Sequence, residues 1–282
     1  MIAIANSNII GGLPANLSGG DAPYVYIMDE YPTDIQCGFS LQKMKSDYTG
    51  DAIRVRRSSD NAEQDIGFLD SNALDVSSLV AFVGAGNDGF VTTAYNQNST
   101  NGFEQTTANA QPQIVDSGSV ITDPTNGLPA MKFDGVDDWI IAVNLGGPYY
   151  FDVYYVGSTT DTKFIMLSGA TDKYSPAVHE GSTSTAVEGN NFRPDALYVN
   201  NVLKSPSTRD DLYDEISIGT PTVVNHYNAN PNRWWVTVKF GRYWNTGWEY
   251  DGLIQEFIVY DPDNSAVDRA GITEILIDKY VP

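Results

Sequence analysis

The chain has 282 residues, 41% of them hydrophobic and 18% charged, a globular composition that excludes a disordered polymer. Acidic residues number 36 against 16 basic ones, giving a net charge of −20 that repels phosphate backbones and excludes nucleic acid as a partner. A single cysteine, Cys37, excludes an intrachain disulfide, and no run reaches the ~18 apolar residues of a membrane span. The opening residues carry no basic flank and no long apolar core, so no signal peptide is expected and folding takes place in a reducing cytoplasm. Of the acids, 27 are aspartate, which with Asn, Gly, Ser and Thr suits a turn-rich β protein.

Residues 1–36 are rich in Gly, Asn, Ala and Pro and show no sustained helical period. They are expected to form an N-terminal arm, with the apolar pieces Ile9-Ile10 and 24–28 docking on another chain. An edge strand of the main body is the alternative. From residue 37 to 282 one domain is expected. A helix is predicted over 41–47, because Ser40 is a natural cap, Leu41, Met44 and Tyr48 share a helical face, and Gly50 stops it. The strand 52–57 follows, with Ile53 and Val55 on one face and Arg54 and Arg56 on the other. A second helix begins at Asp75 as cap, buries Val76, Leu79, Val80 and Val83, and ends at Gly84.

Strands and turns then dominate. Residues 89–95 read as a strand, and 130–133 with 139–143 read as a hairpin about the turn 134–138. Further strands are predicted near 149–157, 163–168, 197–199, 215–219, 234–241 and 252–260. A last helix starts at Ser265 and carries Val267, Ile272, Ile275 and Leu276. Many short strands between turn clusters imply a β-sandwich whose edges are covered by a few helices.

Four regions carry a family resemblance. They are 39–60, then 89–97 with 106–114, then 128–139, and finally 207–213 with 250–260 and 263–272. Together they resemble the concanavalin A-like (jelly-roll), laminin-G-like β-sandwich of bacteriophage fibre and virion proteins, which is related to the catalytic domain of fungal arabinofuranosidase B. The resemblance implies a mainly β fold and a bacteriophage virion structural protein: a fibre, spike or capsid decoration, without enzymatic activity. It would be assembled in the host cytoplasm and displayed on the virion surface. Its arm would dock on virion scaffold proteins, the chain would form a homo-oligomer with a trimer as first expectation, and it would contact host surface glycans. An arabinofuranosidase-like glycoside hydrolase is the alternative, and a bacterial laminin-G-like adhesion protein a second one.

A retaining glycosidase places a nucleophilic carboxylate and a proton-donating carboxyl roughly 5 Å apart. The resemblance implies Glu188, in Glu188-Gly-Asn-Asn-Phe192, as the nucleophile candidate, though with one glycine more than the enzyme's pattern. Where the enzyme's acid should stand, in 241–251, this chain offers Tyr243, Trp244 and Asn245. Without a proton donor the general-acid contribution of roughly 10²–10⁴ is lost, and the enzyme's paired cysteines are absent, so no catalytic residue is expected. Trp244 and Trp248, with Asn245 and Tyr243, are the glycan-binding candidates, since indole faces stack on sugar rings; of Trp234 and Trp235, one is buried by alternation. Asp134, Asp137 and Asp138 offer oxygen ligands for calcium, but capping of the turn by Asp134 is the expected job. Otherwise no cofactor is expected. Arg54, Arg56 and Arg57 are expected to pair with the acidic surface, and His179 and His226 lack ligand partners at zinc spacing.

Overall fold

The computed structural model describes residues 24–99, 102–143, 151–159, 163–165, 167–168, 177–184, 196–216, 219–228, 237–241, 249–261 and 266–282. These form a mainly β structure, a β-sandwich whose strands are joined in antiparallel ladders, with four α-helices among the described residues. The strand Asp251–Tyr260 lies at the centre of one layer. Phe151–Thr159 pairs along one of its sides, while Met131–Asp134 and Ile35–Ser40 share the other. The layer continues through Thr222–Asn228 and Ala196–Val199 to the edge strand Val202–Lys204.

Side chains alternate between the two faces of these strands. Val153, Tyr155, Phe257 and Val259 enter the main core, while Tyr154, Val156, Ile258 and Tyr260 enter a second core on the outer face. The main core is closed by Ile53–Arg57, Gly89–Ala94, Phe103–Glu104, Ile140–Val143 and Thr237–Phe240, which pair with one another. Aromatic rings fill the space between. Phe103 meets Phe39 at 4.8 Å and Phe257 at 5.3 Å, and Phe240 meets Tyr155 at 5.5 Å; edge-to-face contacts of this kind add about 0.5–1.5 kcal/mol each beyond area burial.

The second core is covered by the helix Ala266–Tyr280, whose Ile272, Leu276 and Tyr280 recur every four residues on one face. The short helix Ile27–Glu30 adds Ile27 and Met28 to it. Gly38 makes this possible, since a Cβ there would lie 2.6 Å from Met28 Cε. Two buried carboxylates sit beneath these helices. Glu256 accepts from Lys279 Nζ, Tyr280 OH and Ser40 Oγ. Asp152 accepts from Tyr154 OH and Asn225 Nδ2, and burial pushes its pKa up to about 6.

Three expectations are corrected. Residues 41–47 form no helix, because their backbone groups bond to distant partners: Lys43 N donates to Asn72 O, Met44 N to Gln97 Oε1, and Met44 O accepts from Met28 N. The stretches around Met131–Asp134 and Ile140–Val143 do not pair as a hairpin; the first pairs with Asp251–Tyr260 and the second with Thr237–Phe240 and Phe103–Glu104. Ile27 and Met28, expected to dock on another chain, are buried within this one, at 2% and 0% exposure. The helix Val76–Val83 matches its sequence signals, with Asp75 accepting from Ser78 N and Gly84 leaving at φ 81°.

Candidate functional site

The acid-rich stretch 134–138 carries the chain from one layer of the sandwich to the other, and side-chain hydrogen bonds hold its shape. Asp134 Oδ1 accepts from Val136 N at 2.8 Å and Asp137 N at 3.2 Å, as a turn-capping aspartate does. Asp138 Oδ2 reaches back to Asp134 N at 3.0 Å, and Asn109 Nδ2 donates to Asp137 Oδ2 at 2.5 Å. The three carboxylates therefore converge, with oxygens within 4.8 Å of one another. Burial, followed by the charges of Asp134 and Asp137, pushes the Asp138 carboxyl up to about 8, against the pull of its backbone hydrogen bond and of nearby Lys132.

That shift has a sign. A carboxyl whose folded pKa lies above the ordinary value of about 3.9 stabilises the fold fully below that value. The contribution is lost as pH rises through about 8. Asp138→Asn keeps an acceptor for the Asp134 N–H and removes the ionisation. Thermal melts are expected to show wild type losing stability across this window while the variant stays flatter; parallel curves would disprove the assignment.

A pocket of about 190 Å³ lies against this turn, lined by Phe90, Asn109, Gln111, Gln113, Lys132, Asp134 and Asp138, among others. Its far wall is fixed by Arg56, which donates to Gln111 Oε1 at 2.7 Å and to Ala108 O at 3.0 Å, and whose guanidinium lies 4.8 Å from the Phe90 ring centre. The other two arginines of that strand end in ion pairs, Arg54 with Asp65 and Arg57 with Asp60, each at 2.7 Å, as the sequence suggested.

The turn also packs on both ends of the segment 242–248. Gly135 N donates to Tyr250 O, and Tyr250 N donates to Gly241 O at 2.8 Å, which pins the two ends together. Gly241 has φ +97°, and a Cβ there would lie 2.6 Å from Phe133 and 2.9 Å from Asp138 O. Only glycine lets the chain pass this close to the acidic turn. The glycan candidates Tyr243, Trp244, Asn245 and Trp248 lie outside the described residues, as do Glu188, Trp234 and Trp235. What the structure fixes is where the 242–248 segment leaves and returns: beside Asp134, Asp137 and Asp138.

No protein family matches the sequence, and no curated protein matches it. Solved structures do match. A glutamate-to-glutamine variant of a GH54 α-L-arabinofuranosidase soaked with 4-nitrophenyl α-L-arabinofuranoside aligns with a TM-score of 0.60 and 16% identity. A GH54 α-L-arabinofuranosidase soaked with a cyclic sulfate inhibitor gives the same values. An arabinofuranosidase complexed with arabinofuranosyl-α-1,2-xylobiose aligns at 0.64 and 14%. The chain shares its fold with arabinofuranosidases. The match covers 90% of this chain but 65% of each of those, so it spans about two thirds of their length.

This corrects two expectations. The reading as a bacteriophage fibre, spike or capsid decoration has no counterpart among these matches, and the reading as a non-enzyme conflicts with them, since the proteins sharing the fold are arabinofuranosidases. Sequence reasoning also missed the pocket. Its one readable signal was the alternation Met131, Lys132, Phe133, Asp134, which turns Lys132 and Asp134 outward together.

Proposed function

We propose that the chain is a glycoside hydrolase acting on α-L-arabinofuranosides. The observation that carries this reading is the fold shared with arabinofuranosidases over 90% of the chain. Glu188, through its Glu-Gly-Asn-Asn-Phe context, is the proposed nucleophile. The segment 242–248 contains no carboxylic acid, so the proton donor comes from a neighbouring element. Asp138 fits that role: its backbone touches Gly241 at the segment's root, and its carboxyl is held protonated up to about 8 by burial and by Asp134. A donor poised near the working pH is what general-acid catalysis needs.

The test is direct. Purified protein is incubated with 4-nitrophenyl α-L-arabinofuranoside and with arabinose-substituted xylo-oligosaccharides, and 4-nitrophenol and arabinose are measured. Turnover is expected on both, falling on the xylo-oligosaccharides as pH rises through about 8 and the Asp138 proton is lost. Absence of turnover on both substrates across the pH range would end the proposal.

A further inference from the structure

The pocket beside the acidic turn has a chemistry of its own. Among the described residues, Lys132 makes no hydrogen bond or ion pair, Gln113 donates through Nε2 to Val115 O but leaves its Oε1 unbonded, and Asp134 leaves Oδ2 unbonded. These groups face a space of about 190 Å³. That is the liquid volume of roughly six waters, room for one small ring but not for a stretch of polymer.

The mixture of groups decides what fits. An ammonium disfavours a metal cation in the pocket, and the Asp134 side chain, on a chain of net charge −20, disfavours an anion. Donors and acceptors set side by side suit a ligand whose every polar group both donates and accepts, which is the property of vicinal hydroxyls. Phe90 and Ala108 supply an apolar surface for ring C–H groups. The wall is set before any ligand arrives: Arg56 holds Gln111 and Ala108, Gln111 Nε2 donates to Gln105 O at 3.0 Å, and Asn109 is tied to Asp137. Such preorganisation removes an ordering cost from binding.

We propose that this pocket is a second sugar-binding position that takes one neutral pyranose or furanose ring. Being next to the root of the 242–248 segment, it would hold a ring of the same oligosaccharide that the hydrolytic site attacks; only that connection rests on the proposed hydrolase activity. Lys132 and Gln113 stand on the outer side of their strands, exposed and half-buried, so their replacement leaves the cores intact.

The experiment follows backbone amide shifts of the isotope-labelled full chain on titration with xylobiose and L-arabinose, with calcium chloride and inorganic phosphate as controls. Sugar-induced shifts are expected at 108–113 and 131–138, with affinity at least tenfold weaker in Lys132→Met and Gln113→Leu while circular dichroism stays that of wild type. The Michaelis constant for an arabinose-substituted xylo-oligosaccharide should rise in Gln113→Leu while kinetics on the aryl arabinofuranoside hold. No sugar-induced shift in the pocket, unchanged affinity in both variants, or shifts with calcium or phosphate in place of sugar would each overturn the proposal. A protein that hydrolyses arabinofuranosides without pocket shifts retires the subsite alone; one that shows the shifts without hydrolysis retires the hydrolase reading alone.

Discussion

Replacing Lys279 with methionine is expected to lower stability by about 3–5 kcal/mol, the usual cost of breaking a buried ion pair by removing one partner. Lys279 Nζ lies 2.7 Å from Glu256 Oε2, and the two side chains are 8% and 1% exposed. The same carboxylate oxygen accepts from Tyr280 OH at 2.6 Å and Ser40 Oγ at 2.9 Å, while Glu256 Oε1 has no hydrogen-bond partner among the described residues. Glu256 belongs to the central strand, Ser40 to its neighbour, and Lys279 and Tyr280 to the C-terminal helix, so the pair fastens that helix to the sheet. Without the ammonium, the carboxylate stays buried with neutral donors only. Burial by itself would lower the Lys279 pKa, but the Glu256 charge, with Tyr24 and Tyr280, raises it well above the ordinary lysine value. A raised lysine pKa contributes stability fully below about 10.4, so the loss should be constant across the neutral range. Urea and thermal unfolding measure it, and a fall in Tm of roughly 10 °C is expected for a chain of this size. The double variant Glu256→Met with Lys279→Met tests the cause. It removes both charges and should be more stable than either single variant. A double variant that loses the sum of the two singles would show that packing, not charge pairing, holds the helix.

The sequence showed what lies on one face and hid what depends on distant partners. Ile53–Arg57 was legible because only one of its faces is deeply buried, so Ile53 and Val55 alternate cleanly with two arginines. Ile35–Ser40 was not, because its last four positions are all buried, Phe39 against the main core and Gly38 under Met28. The false helix at 41–47 had the right spacing of Leu41, Met44 and Tyr48, but spacing says nothing of Asn72, Gln97 and Met28, which take its backbone hydrogen bonds. The false hairpin failed likewise: Asp134 pairs with Asp251 and Ile140 with Phe240, partners about a hundred residues away. At the site, turn capping by Asp134 was readable locally, whereas the pocket needs 108–113 and 132–138 brought together by the fold. Function was harder still, because one family resemblance carried both the virion and the hydrolase readings, and the lack of a carboxylic acid at Tyr243, Trp244 and Asn245 pointed to the non-enzyme.

Glutamine at position 188 is expected to lower turnover of aryl arabinofuranosides by roughly 10⁴-fold or more, the scale seen when a covalent nucleophile is removed. The proposed mechanism gives the two carboxyls different signatures. The nucleophile forms the glycosyl–enzyme bond and is needed whatever the leaving group. The acid protonates the departing oxygen, contributing roughly 10²–10⁴, and then as base takes the proton of the water that cleaves the glycosyl–enzyme bond. A 4-nitrophenolate leaves with little help from a proton, so Asp138→Asn should lose least on that substrate and most on an arabinose-substituted xylo-oligosaccharide, whose leaving group is an alkoxide. Glu188→Gln should lose activity equally on both. Azide separates the two further. With the nucleophile removed, azide can attack the sugar directly and gives a glycosyl azide of inverted configuration. With the acid–base residue removed, azide attacks the glycosyl–enzyme intermediate and gives the azide of retained configuration. Full activity in Glu188→Gln would mean that the nucleophile stands elsewhere. A retained-configuration azide from that variant would make Glu188 the acid–base residue and would remove Asp138 from the mechanism.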